Sequence, residues 1–137
     1  RLANRFNVPM LADEAVQGAR DGLDLVCGGF SGAFALKIAK SGGIYGVLEL
    51  AHVAQAAGIG LYGGTLLEGT IGTAASLHAW ATLPAMAWGT EMFGPLLLQD
   101  DIVVTPLNYT EFGVELPQGA GLGITLDEDK LAHYSRK

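Results

Sequence analysis

Four short apolar runs in this chain each end on a charged residue, and helix-forming stretches separate them. They are VPMLA before Asp13, FAL before Lys37, GIGLYGGTLL before Glu68 and MAWGT before Glu91. The charges fall 24, 31 and 23 residues apart, the length of a strand, a helix and two loops. Repeated βα units build a parallel sheet. Ligands of such sheets bind past the carboxyl ends of the strands. The pattern therefore predicts that an aspartate, a lysine and two glutamates face one shared site.

Strands are expected at Val8–Ala12, Ala33–Ile38, Ile59–Tyr62 and Ala87–Gly89. The first helix is expected over Ala19–Cys27, closed by Gly28 and Gly29, since glycine adopts the positive φ of a helix end freely. Ile44, Val47, Leu48, Ala51 and Ala54 recur at helical spacing, with Glu49, His52 and Gln55 on the other face. That helix is expected to be capped by Ser41 and to end at Gly58. Thr70 is expected to cap a third helix running to about Leu83, which Pro84 breaks. After Pro95 the βα rhythm stops. Short β-like runs between Pro, Gly and Asn turns follow, with no helix before Asp127, which caps the last one with Lys130 and His133 toward its negative end. Four βα units are either half of an eight-stranded barrel or a small doubly wound sheet, and the irregular forty-residue extension favours the barrel.

The 137 residues make at most one domain, and half of them are apolar, enough for a sizeable core. A mean hydropathy of +0.32 leaves apolar surface for a partner, either a second copy or the rest of a larger protein. Arg1 opens the chain without methionine, and RLANRF reads as the last turn of a helix. Both features lead us to expect a C-terminal fragment. A net charge of −6 and scattered basic residues exclude a nucleic-acid partner. Glu49, His52 and Gln55 interrupt the most apolar region, so no membrane span is expected. The single cysteine, Cys27, fits a reducing, cytoplasmic setting.

Asp13 at a strand end suits a hard divalent cation, or else caps the following loop. Lys37 lies among Phe34, Ala35, Leu36 and Ile38, where an ammonium is costly unless it faces a polar cavity. Desolvation and neighbouring cations would lower its pKa toward the range of proton transfer. The alternatives are a plain salt bridge to Asp13, or a functional role for Lys40 instead. Glu68, in a glycine-bracketed loop, is expected to accept from backbone amides and shape the site, and Glu91 to hold a substrate carboxyl or position Lys37; the alternative for either is a plain solvated carboxylate. KSGG and GGTLLEGTIG have the glycines of a phosphate cradle but not the GxxxxGK[ST] pattern. His52, His78 and His133 show no ligand spacing and are read as surface or packing residues.

Together, ADEAVQG, FALKIAKSGG, LYGGTLLEGTIGTAAS, WGTEMFGPLLL and GLGITLDEDKLA resemble the muconate cycloisomerases, the muconate-lactonizing enzymes of the enolase superfamily. The likeness covers essentially the whole chain. The resemblance implies an α/β fold, with residues 1–95 as the C-terminal half of a (β/α)8 barrel (strands five to eight). Residues 96–137 would be a β-rich tail that packs on a separate capping domain. It implies that Asp13 is one of three ligands to Mn²⁺ or Mg²⁺, that Lys37 is an acid/base or cation on one face of the substrate, and that Glu91 closes the site. Phe93, together with Glu68, would lie against the substrate, a small dicarboxylate such as cis,cis-muconate, which the enzyme closes to a lactone.

The family's KxK motif and two further metal ligands have no counterpart here, so the chain alone is expected to be inactive. The full-length enzyme is expected to be a homo-oligomer. Chloromuconate cycloisomerases, succinylbenzoate synthases, N-acylamino-acid racemases and dipeptide epimerases share the scaffold and stand as alternatives. A reading from another class is a non-catalytic half barrel that acts only by assembly.

Overall fold

In the computed structural model, which describes residues 5–135, the organising element is a buried parallel sheet. Its strands β1 (Leu11–Ala12), β2 (Ala33–Leu36) and β3 (Gly60–Gly63) lie in that order. Leu11 pairs with Ala33, and the β2–β3 ladder runs from Ala33–Gly60 to Leu36–Gly63, all parallel. All four residues of β2 are buried, as expected of a central strand covered on both faces.

Three helices complete the βα units: α1 (Ala19–Cys27), α2 (Ile44–Ala56) and α3 (Thr70–Ala81). The apolar stripe of α2 turns Val47, Leu50, Ala51 and Ala54 inward, and Glu49, His52 and Gln55 are at least partly exposed. Val47, Leu50, Ala51 and Ala54 meet Phe34, Leu36 and Val16 in one core. Gly22 lets α1 approach closely, because a Cβ there would lie 2.6 Å from Leu50 Cδ1 and 3.2 Å from Phe34 Cε2.

The first strand is shorter than expected. Asn7 and Val8 form bends, and the ladder is reached only through Met10, whose carbonyl accepts from Ala33 N at 2.9 Å. The expected Ala87–Gly89 strand is instead a turn, closed by Gly89 N to Met86 O at 2.8 Å with Gly89 at φ 76°. The chain still runs beside β3 just afterwards: Gly63 N donates to Gly89 O, Glu91 N donates to Gly63 O, and Thr90 bridges Gly63 in parallel. A fourth strand position therefore exists but holds a single bridge. β2 stops at Leu36, one residue before Lys37, because Ser41 N and Gly43 N bond back to Lys37 O and Ile38 O.

The expected helix caps also differ. α2 starts after Gly43 with no side-chain cap. Ser41 Oγ is buried without a partner, and its carbonyl lies where a Cβ on Gly46 would fall, 2.0 Å away. Thr70 is the first residue of α3 rather than its cap, and its N–H donates to Asp101 Oδ2 at 2.7 Å. The cap thus arrives from a segment distant in sequence.

Around Pro95 the chain forms a 3₁₀ turn (Gly94–Leu97) that the apolar pattern does not announce. A two-residue hairpin of β4 (Tyr109–Thr110) and β5 (Gly113–Val114) follows, then α4 (Glu128–Tyr134). Asp127 caps α4, accepting from Lys130 N at 3.0 Å. Lys130 sits in the first turn of α4, not its last, and reaches back to Asp100 at 2.6 Å. Tyr109 Oη donates to Met92 O at 2.6 Å, and His78 Nε2 lies 3.1 Å from Leu122 O. The helical turn expected at RLANRF falls mainly on residues 1–4, outside the described residues. Arg5 to Val8 form a turn and bends. Among the described residues no helix is long and apolar enough to cross a membrane.

Candidate active site

Parallel strands deliver their next residues to one edge, so Asp13 after β1, Lys37 after β2, Thr65 after β3 and Glu91 after the Thr90 bridge emerge on the same side of the sheet. Lys37 Nζ lies 2.9 Å from both carboxylate oxygens of Asp13 and 3.6 Å from Glu14 Oε1. Lys40, from the turn after β2, places its Nζ 2.8 Å from Asp13 Oδ1 and 2.6 Å from the Asp13 carbonyl. The two lysine side chains are 6% and 9% exposed, against 34% for Asp13. One carboxylate therefore holds two nearly buried ammonium groups. Lys37 has room for its stem because Gly64 has no side chain: a Cβ there would stand 2.8 Å from Lys37 Cε.

Burial alone would lower the Lys37 pKa, as expected from sequence. The hydrogen bond to Asp13 and the charges of Asp13, Glu14 and Glu91 outweigh it and hold the group above its ordinary 10.5. The direction is thus the reverse of the expectation, because the neighbours that matter are anions. Burial likewise works to raise the Asp13 carboxyl, yet hydrogen bonds from Lys40 and Lys37 overcome it and keep the pKa below 3.8. Burial and the adjacent Glu91 carboxylate push the Tyr62 phenol above its usual value.

Glu91 links this ion cluster to an open cavity of about 510 Å³. Phe93, 40% exposed, lines that cavity with Glu91, as do Leu96, Tyr109 and Phe112. Glu68 sits behind this wall. Its Oε2 accepts from Leu66 N at 2.9 Å and from the Thr65 hydroxyl, which agrees with the expectation that it takes backbone amide donors. Thr65 N donates to Glu91 Oε1 at 3.3 Å. Neither Thr65, Tyr62 nor Glu14 was singled out from sequence. Thr65 had a signal, the T-x-x-E spacing of a side-chain pair that satisfies local amides. Tyr62 and Glu14 had none.

No group of three His, Cys, Asp or Glu side chains able to hold a metal occurs among the described residues. Asp13 offers one carboxylate, already engaged by two lysines, so these residues do not fit a metal ion by themselves. The amino end of α3, where the GGTLLEGTIG loop leads, is filled by the Asp101 carboxylate.

A family model described as enolase C-terminal domain-like matches residues 1–130. The chain belongs to that family. Muconate cycloisomerase 1 of Pseudomonas putida is 51% identical over 137 residues, all of this chain and 36% of the relative. A chloromuconate cycloisomerase of Cupriavidus necator is 44% identical over 136 residues, 99% of this chain and 37% of the relative. Among solved structures, the muconate lactonizing enzyme of Klebsiella pneumoniae superposes with a TM-score of 0.95 at 64% identity, covering 99% of this chain and 38% of that one. The chain therefore spans little more than a third of these relatives, as a C-terminal fragment.

Proposed function

We propose that this chain carries part of the active site of a muconate cycloisomerase, which closes cis,cis-muconate to muconolactone in aromatic-compound catabolism. The observation that carries the reading is the Asp13–Lys37 pair at the carboxyl edge of the sheet, with Glu91 beside it.

One carboxylate of the dicarboxylate attacks the conjugated system as an internal nucleophile, and negative charge develops toward the other. A fixed cation at that point lowers the barrier, because it needs no reorganisation when the charge appears. Lys37 suits this role. Paired with Asp13 and close to Glu14 and Glu91, Nζ carries its charge at neutral pH, so it works as a cation beside the developing negative charge rather than as a base. Asp13 orients Nζ, and Lys40 fixes Asp13 from the other side. Glu91 and Phe93 form the wall against which the substrate rests, with Glu68 behind it.

In the longer protein Asp13 would supply one carboxylate to Mn²⁺ or Mg²⁺, which would stabilise negative charge on the substrate, and the remaining ligands would come from outside this chain. The tail, with Phe112 92% exposed, meets the capping domain. The complete enzyme is cytoplasmic and oligomeric, and the chain alone does not turn over substrate.

The test is a chimera in which this chain replaces the matching part of the Klebsiella pneumoniae enzyme. Loss of muconate absorbance with Mn²⁺ is the expected result, and turnover only of chloromuconate, an acylamino acid or a dipeptide overturns it. In the chimera Lys37→Ala should lower kcat by orders of magnitude, and a loss below about tenfold leaves Lys37 a structural part.

A second reading rests on the open edge of β1 and on exposed Phe112, Val8 and Leu67: the isolated chain survives by pairing with another copy. Sedimentation of the chain as a folded monomer removes it.

A further inference from the structure

The loop after β3 has a construction that the proposed reaction does not itself use. Thr65 is buried and stands at the centre of three contacts. Its hydroxyl donates to Glu68 Oε2 and accepts from Leu67 N at 2.9 Å, and its N–H points at Glu91 Oε1. Leu66 N adds a second donor to the same Glu68 oxygen. Leu67 is held at φ 63°, a conformation that a branched residue adopts only when its surroundings impose it.

The other end of the contact is braced as well. Gly94, three residues after Glu91, lies so close to this loop that a Cβ would stand 2.3 Å from Glu68 O. Thr73 Oγ1 donates to the same carbonyl at 3.2 Å. The second carboxylate oxygen of Glu68 is buried and has no donor, and Glu68 is not among the residues that line the cavity. What Glu68 does, it does through its own loop.

We propose that Thr65 and Glu68 are a positioning pair that fixes the Glu91 carboxylate against the site, Glu68 setting the loop and the Thr65 N–H setting Glu91. The inference rests on Glu91 belonging to the active site as proposed above. At 3.3 Å the Thr65–Glu91 contact is at the long end for an N–H···O bond, so its quality follows directly from where the loop sits. A wall carboxylate that drifts by an ångström costs rate far more than it costs binding.

The experiment uses the chimera carrying Thr65→Val, which keeps the side-chain shape and removes the hydroxyl, with Glu68→Gln as a second variant. Each should lower kcat about tenfold or more with KM changed less than about threefold, and Thr65→Ser should restore most of the rate. A kcat within about twofold of the parent in Thr65→Val overturns the pairing. Crystal structures of parent and variants answer the same question without turnover. The expected result is a lengthened or lost contact between the N–H of position 65 and Glu91. Glu91 in the parent position, with that contact intact in both variants, overturns the proposal. A parent chimera that folds but leaves muconate untouched refutes the functional reading instead, and the crystallographic comparison still decides the positioning role.

Discussion

Replacing Asp13 with asparagine keeps the shape of the side chain and removes the one anion that two lysines share. Both Nζ atoms lie within 2.9 Å of Asp13 Oδ1, so the two ammonium groups are less than about 6 Å apart. At an effective dielectric near 20 their repulsion is about 3 kcal/mol. In the native chain Asp13 offsets it. Breaking a fully buried pair costs about 3–5 kcal/mol, but Asp13 is one-third exposed and Glu14 remains 3.6 Å from Lys37. Both soften the loss, and Asp13→Asn should destabilise the metal-free chain by about 2–3 kcal/mol at pH 7.

The pH profile carries a sign. Lys37 is raised in the folded chain, so its contribution is complete below 10.5 and is lost as pH rises through the higher folded value. Asp13 is lowered, so its contribution is complete above 3.8 and is lost as pH falls through the lower folded value. The gap between native and variant should therefore be flat from about pH 5 to about pH 9 and shrink outside that window. Urea unfolding followed by Trp80 fluorescence, in the presence of a chelator, reads it. A gap below about 0.5 kcal/mol at pH 7, or one undiminished at about pH 11.5, refutes the reasoning.

Gly32→Ala should be among the most damaging small substitutions, because the added Cβ would lie 1.9 Å from Met10 O. That carbonyl holds β1 to β2, so a loss of about 3 kcal/mol or more in denaturant unfolding is expected, and a near-native midpoint contradicts the strand placement. Asp101→Ala removes the distant cap from α3 and should cost about 1 kcal/mol. Hydrogen exchange should then quicken first at the amides of Thr70 and Ile71, and unchanged protection there would count against the cap.

The strand-end charges were legible in the sequence because period and punctuation agree. An apolar run, a charge and then a glycine-bounded helix fix which edge Asp13, Lys37 and Glu91 share, whatever the details of the loops. The α2 stripe was legible for the same reason. What escaped reading depends on contacts between distant segments. Asp101 caps a helix 31 residues before it, and nothing local to Thr70 announces that. The direction of the Lys37 shift turned on how closely Asp13, Glu14 and Glu91 approach, which composition around Lys37 does not reveal. The Ala87–Gly89 run failed as a strand because Gly89 turns to positive φ, moving the bridge with Gly63 to Thr90.

Gly64 shows how an absent side chain can act as an adjusting screw. Its Cα faces the methylene stem of Lys37, where a Cβ would approach Cε to 2.8 Å and Cγ to 3.0 Å. Alanine at this position would push the stem aside while leaving every charged group in the chain intact. The ammonium would keep its proton and lose its aim. Variation at residue 64 is therefore a way to retune the reach of Lys37 from the neighbouring strand, and a survey of charged positions alone would pass over it.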